Sequence, residues 1–165
     1  MKLDAQHVTK FQARDINMNN DDIFYMRLAI EEAKKAFFDD EIPVGAIVVK
    51  DGKIIGYGHN NRVHDKKISS HAEINAIEMA EESEGTVVLE GATIYSTLEP
   101  CPMCSYAIID SHISRLVYGA KDEKRGAISN LDIFNKKLGP KIEICDNILE
   151  EESSKLLKLF FKNKR

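Results

Sequence analysis

Apolar residues recur along this chain with two periods, and the changes from one to the other divide it into elements. From Asp21 the positions Ile23, Met26, Ile30, Ala33 and Phe37 step by three and four residues, the spacing of one buried helix face. Asp21 or Asp22 can cap its start, and Asp39, Asp40 and Glu41 end it. Residues 45–49 and 53–57 are then β-rich and flank Asp51-Gly52, a dipeptide suited to a tight hairpin because both central residues need positive φ. A polar, irregular stretch over residues 58–70 leads into a second helix from about residue 71 to 82. A strand is expected at 92–97, then a helix to about residue 110 with Pro100 in its first turn, where a missing N–H costs nothing.

Residues 115–118 read as a strand, 119–140 as loop with one short helix near 131–134, and 141–145 as the last strand. The closing helix starts at Asn147 with Glu150, Glu151 and Glu152 at the positive end of its dipole. Lys155, Lys158, Lys162, Lys164 and Arg165 gather toward the other end. Strands alternating with helices after an opening hairpin predict an α/β fold, a mixed sheet with helices on both faces. Residues 1–20 carry little apolar periodicity and read as a mobile arm before a single domain over 21–165.

Composition changes this picture in three places. With 165 residues and 43% hydrophobic content, the chain suits one domain around one core. A formal net charge of −4 offers no overall basic field, so a nucleic-acid partner needs a local patch. No apolar run near the amino terminus suits a signal peptide or a membrane span, and the expected location is the cytoplasm, with no membrane partner. Three cysteines, an odd number, argue against a disulfide framework and leave metal binding or plain burial.

Two of these cysteines stand in Cys101-Pro102-Met103-Cys104. Three residues apart at a helix amino terminus, they share a face, and the unpaired N–H groups there favour the thiolate that binds metal. Such a pair also serves as a thiol–disulfide couple, as half of a four-cysteine structural zinc site, or as two buried cysteines. Upstream, Ser70-His71-Ala72-Glu73 has the spacing of a capping box, which would make Glu73 structural. The combination changes the balance. His71, then Glu73, then Pro100-Cys101 and Cys104 match the H-x-E and P-C-x-x-C signature of zinc nucleobase deaminases. One histidine and two cysteines leave a fourth zinc position open for water, and Glu73, not itself a ligand, is placed to move protons. Cys145, isolated in an apolar run, reads as a buried strand residue.

Beyond the signature, the chain resembles the cytidine and deoxycytidylate deaminase superfamily from about residue 22 to 165, and within it the bacterial tRNA-specific adenosine deaminases. The resemblance is carried by Glu41-Ile42-Pro43-Val44-Gly45-Ala46, Gly58-His59-Asn60, His71-Ala72-Glu73, Thr97-Leu98-Glu99-Pro100-Cys101-Pro102-Met103-Cys104 and Tyr118-Gly119-Ala120-Lys121-Asp122, with the basic, aromatic carboxyl terminus. It implies a three-layer α/β/α sandwich with a mixed five-stranded sheet, cytidine deaminase-like, and a homodimer. It implies one zinc ion per chain on His71, Cys101 and Cys104, with Glu73 as proton shuttle. It also implies contacts of Asn60 with the flipped-out nucleoside, of Val44 with the base and of Asp122 with a flanking nucleotide. The reaction implied is hydrolysis of adenosine to inosine at the wobble position of a tRNA anticodon loop.

The chain departs from the family where Ile68-Ser69-Ser70 replaces Pro-Thr-Ala, in Arg125-Gly126-Ala127-Ile128-Ser129-Asn130-Leu131, and at Pro102, which is commoner in free-base deaminases. Two other functions therefore stand beside the first: deamination of a free base or nucleoside such as guanine or cytosine, and a non-catalytic zinc-stabilised RNA-binding protein.

Overall fold

Gly45–Lys50 (β1) and Lys53–His59 (β2) form the hairpin that Asp51-Gly52 predicts, with φ of 51° and 72° at the two turn residues. Three further strands, Thr93–Leu98 (β3), Arg115–Ala120 (β4) and Glu143–Cys145 (β5), complete one sheet in the order β2-β1-β3-β4-β5. β1 runs antiparallel to both β2 and β3, whereas β3–β4 and β4–β5 are parallel. The sheet is thus mixed and five-stranded, as expected. The computed structural model describes the backbone of residues 5–164 and the side chains of residues 20–164.

The alternation of side chains along each strand sorts the core into two halves. Ile47 and Val49 of β1, Tyr95 of β3 and Val117 of β4 meet Met26, Ala29 and Ile30 of the first helix, Ala5–Phe38 (α1). Ala46, Val48, Ile94, Leu116 and Tyr118 point the other way. There they pack with Ala72, Ala76, Ile77 and Ala80 of Ala72–Glu84 (α3) and with Ile108 and Ile109 of Pro102–Asp110 (α4). Each fully buried aliphatic side chain contributes about 1.5–3 kcal/mol, so apolar burial on the two faces is the main force holding the helices to the sheet. α3 lies unusually close to β2. A Cβ on Gly56 would overlap the Ala76 carbonyl, and one on Gly58 would crowd that of Ala72. The last helix, Glu150–Asn163 (α6), joins α1 through the edge-to-face pair Phe37–Phe160, at 6.1 Å between ring centroids.

Several boundaries differ from expectation, each for a physical reason. α1 does not begin on a cap at Asp21 or Asp22, because its backbone is helical from Ala5. The expected mobile arm, residues 1–20, falls on residues whose side chains, Asn20 apart, lie outside the described ones. Asp22 instead sits inside the helix at 4% exposure, where it accepts two hydrogen bonds from Arg115 at 2.6 and 2.8 Å and one from the Tyr95 hydroxyl at 2.9 Å. Pro102, not Pro100, takes the first turn of α4. α6 starts at Glu150 behind Leu149, not at Asn147, and β5 is shorter than expected. The short helix of the long loop comes earlier, at Ala127–Leu131 (α5), followed by a 3-10 turn over Ile133–Asn135. Cys145 is only half-buried, since β5 is an outer strand. Arg62–Asp65 (α2) is a helix that the polar stretch does not predict. The buried carboxylate of Glu41 starts it by accepting from the backbone N–H groups of Val63 and His64 at 2.7 and 2.8 Å.

Candidate active and metal site

α3 and α4 begin at the same place. His71 is the residue before the first turn of α3, Cys101 the residue before that of α4, and both have extended backbone. Neither makes a side-chain cap bond, so their ring nitrogens and sulfur stay available. Cys104, one turn into α4, completes a cluster in which the three ligand atoms lie within 4.8 Å of one another. His71 Nδ1 is 3.7 Å from Cys101 Sγ and 3.5 Å from Cys104 Sγ. A tetrahedral ion with zinc–nitrogen and zinc–sulfur bonds of ordinary length sets such an edge at about 3.6 Å. The donor set therefore fits zinc in both chemistry and spacing, with three protein ligands and one position to spare.

The protons on this cluster are shared. The thiol of Cys104 donates to Cys101 and, with a contribution from His71, holds Cys101 down to about 4 against the opposing effect of burial. That same bond, together with burial and the Glu73 carboxyl, pushes Cys104 well above the ordinary thiol range. His71 is raised, first by its bond to Cys101. A cation taking both sulfurs must consequently displace the Cys104 proton.

Glu73 lies in the first turn of α3 at 4% exposure. The alternative capping role fails, because the residue before the helix is His71, and Ser70 Oγ instead donates to Asp65 at 2.6 Å and accepts from the Asn75 side chain at 3.2 Å. Glu73 Oε2 is 3.5 Å from Cys104 Sγ, and Oε1 is 3.2 Å from the hydroxyl of Ser96 on β3. Burial raises its pKa above the usual carboxyl range. A carboxyl so placed beside the ligands, without being one, suits a group that takes up a proton and hands it on.

These residues open onto a cavity of about 650 Å³ lined by His71, Glu73 and Cys101 and also by Val44, Asn60 and Asp122. Every expected site residue is thus brought together, with Cys104 fully buried behind the cavity wall. The Asn60 amide nitrogen donates to the Ile42 carbonyl at 3.2 Å, and its backbone N–H donates to the Val44 carbonyl at 3.0 Å. Asp122 has a local task as well, since its Oδ1 accepts from the backbone N–H groups of Lys124 and Arg125. Sequence reasoning passed over Ser96, Glu41 and Glu99. Glu41 is read there as a helix end and Glu99 only as a letter of a motif, although an acidic residue at 1–3% exposure always needs donors around it. It also gave no role to Arg62, Lys121, Lys124 and Arg125, which line the cavity beside Asp122, Glu123 and Glu150.

A buried three-ligand cluster with an open position and a neighbouring non-ligand carboxyl is the arrangement of a hydrolytic metal enzyme, and the chain belongs to the family defined by the cytidine and deoxycytidylate deaminase zinc-binding region, matched over residues 19–120. The family's metal is zinc, and the cluster His71, Cys101 and Cys104 is positioned to hold it. Among its relatives, the tRNA-specific adenosine deaminase of Bacillus subtilis (strain 168) is 42% identical over 147 residues, covering 87% of this chain and 91% of the relative. That of Aquifex aeolicus (strain VF5) is 41% identical over 145 residues, covering 86% and 95%. A structure solved in work on A-to-I editing by tRNA:A34 deaminases at the wobble position of transfer RNA superposes with a TM-score of 0.78 at 39% identity, over 81% of this chain and 99% of the other.

Proposed function

We propose that this chain hydrolyses adenosine to inosine at the wobble position of a tRNA anticodon loop, acting as a homodimer in the cytoplasm. One observation carries the proposal: a His/Cys/Cys cluster and the buried, non-ligand Glu73 share a cavity whose wall also bears Arg62, Lys121, Lys124 and Arg125, interspersed with the acidic Asp122, Glu123 and Glu150. Deamination needs the first part, and a phosphate backbone entering a chain of net charge −4 needs the second. Relatives that match over nearly their whole length and bear the name tRNA-specific adenosine deaminase support the same reading. No helix among the described residues is long and apolar enough to cross a membrane.

The overall reaction is adenosine plus water giving inosine plus ammonia. When bound, zinc would be held by His71, Cys101 and Cys104 and would supply the Lewis acidity that brings the pKa of water toward neutrality. Glu73 takes the proton that this water releases as its oxygen bonds to C6 of the purine. It passes the proton to the ring nitrogen and then carries one to the amino group, which leaves as ammonia while the C6 carbonyl forms. Ser96 can serve Glu73 in both of its states. Its hydroxyl donates to a carboxylate, and when it turns to the Leu98 carbonyl, 2.8 Å away, its lone pairs accept from the protonated acid. Val44 and Asn60 are the wall against which the base and nucleoside are held, with Asp122 beside the neighbouring nucleotide. An unpaired loop base reaches such a pocket at low unstacking cost.

The test is mass spectrometry of nucleosides from total tRNA incubated with the purified protein. Inosine at the first anticodon position is the expected product. Absence of inosine, with ammonia released from free guanine or cytosine, would move the protein to the free-base deaminases. Tight zinc with no deamination of any base would leave the RNA-binding reading.

A further inference from the structure

Beside the metal cluster lies a buried carboxylate that the chemistry above does not use. Glu99, just after β3 and two residues before Cys101, is 1% exposed. Four donors converge on it from one segment of chain. The Asp122 N–H donates to Oε2 at 3.0 Å and the Ser129 hydroxyl to the same oxygen at 2.9 Å. The N–H groups of Ile128 and Ser129 donate to Oε1 at 3.1 and 2.7 Å. Two of these amides belong to the first turn of α5, which has no side-chain cap of its own, so Glu99 caps that helix from another part of the fold. The fit is close: a Cβ on Gly126 would overlap the carboxylate, and the Ala127 N–H donates to the Pro100 carbonyl at 2.9 Å.

What this carboxylate holds is the loop over residues 121–126, whose Lys121, Asp122, Glu123, Lys124 and Arg125 line the cavity, cations outnumbering carboxylates. Its two ends are pinned at Asp122 and at Ile128 and Ser129, and between them the cationic side chains have a fixed base. We infer that Glu99 is a positioning residue for nucleic acid: it sets the 121–126 loop so that Lys121, Lys124 and Arg125 meet the phosphates flanking the target base. The inference rests on the proposed RNA substrate. Its chemistry is specific to a carboxylate, since a glutamine has one acceptor oxygen and would aim an NH₂ at N–H donors. A loop freed at this point keeps its charges but not their placement, and preorganised groups are the ones that bind.

The experiment compares the parent protein with Glu99→Gln and, separately, Gly126→Ala. Gly126 has φ −61° and ψ 124°, a conformation alanine adopts freely, so the second variant acts through its approach to the carboxylate and not through backbone strain. Zinc per chain, kcat and KM on an anticodon stem-loop RNA, and the salt dependence of KM are measured, together with hydrogen exchange at Asp122, Ile128 and Ser129. The expected result in both variants is one zinc retained, KM raised on the order of tenfold with kcat within about threefold, and a shallower salt slope. Every phosphate of a single strand that the loop ceases to neutralise takes about 0.7 from that slope. Exchange at the three amides accelerates while β3 and β4 stay protected.

General destabilisation would not flatten the salt slope. Unchanged KM and slope in a folded variant overturn the inference, as does a fall in kcat alone. If Glu99→Gln fails to fold, Gly126→Ala decides. If the parent forms no inosine in any RNA, the substrate reading fails by itself. The exchange arm, which uses no RNA, still tests the pinning, and unaltered exchange overturns it.

Discussion

The hydroxyl of Ser96 stands 3.2 Å from Glu73 Oε1, joining a strand in the middle of the sheet to the first turn of the helix that carries the carboxyl we propose as the proton carrier. A glutamine at position 73 keeps the shape and the bond but cannot carry a proton. Glu73→Gln is expected to retain zinc and fold while turnover falls by about two to four orders of magnitude. Ser96→Ala, which leaves the carboxyl in place but unsupported, costs on the order of tenfold, the worth of one ordinary hydrogen bond. Single-turnover kinetics with metal analysis on the same samples checks both, and full activity in Glu73→Gln would return that residue to a structural part.

Metal binding should titrate. Zinc takes its ligands deprotonated, and both His71 and Cys104 hold their protons more tightly than usual. Falling pH therefore weakens zinc at this site, and rising pH strengthens it. Competition with a chelator across the pH range measures the trend. Cys101→Ser and Cys104→Ser should each fail to retain a stoichiometric ion, and a pH-independent affinity in the parent would contradict the shared-proton cluster.

Asp22 and Arg115 give the clearest stability prediction. The pair ties α1 to β4 with side chains 6% and 17% exposed, and Tyr95 donates to the same carboxylate. Removing Asp22 leaves the mostly buried Arg115 guanidinium with only the exposed Glu143 carboxylate, 3.1 Å from its Nε, so Asp22→Ala is expected to cost about 3 kcal/mol. Tyr95→Phe, which removes one neutral donor, costs about 1 kcal/mol. Urea unfolding of the two variants separates these values. Equal midpoints would mean the pair is worth no more than an exposed one.

Alkaline stability should carry a mark of Tyr118. Burial, with the carboxylates of Glu99, Asp146 and Glu150, pushes this phenol up to about 12. In the unfolded chain it ionises near 10. Between about pH 10 and 12 the unfolded form has lost the proton that the fold retains, so the contribution is full below that window and disappears as pH rises through it. Tyr118→Phe should flatten part of the decline. Stability curves that stay parallel to the parent's would exclude the assignment.

How much of this was legible in the sequence differs by residue type. The hairpin was, because Asp51-Gly52 is a local signal, and so was the metal cluster, because ligand identity and spacing survive without a fold. Glu73 needed the fold to lose its capping alternative, since the same Ser70-to-Glu73 spacing serves both roles. Asp22 was misassigned because a helix cap and a buried ion pair look alike until Arg115, far along the chain, is brought beside it. Glu41 and Glu99 stayed hidden for a related reason. Each holds backbone N–H groups of a distant loop, and backbone donors leave no letter in a sequence.

The parallel pairing of β3 and β4 has a consequence for how such a protein can diverge. Parallel strands end on the same side, so the segment with Glu99, Pro100 and Cys101 and the segment over 121–126 emerge as neighbours although a helix separates them in the chain. On the proposed reading, a metal ligand and the contacts to RNA thereby lie in two stretches that mutation can alter one at a time. A different loop after β4 could refit the cavity rim for another flanking sequence without disturbing a ligand, provided that the newcomer still offers its backbone amides to Glu99.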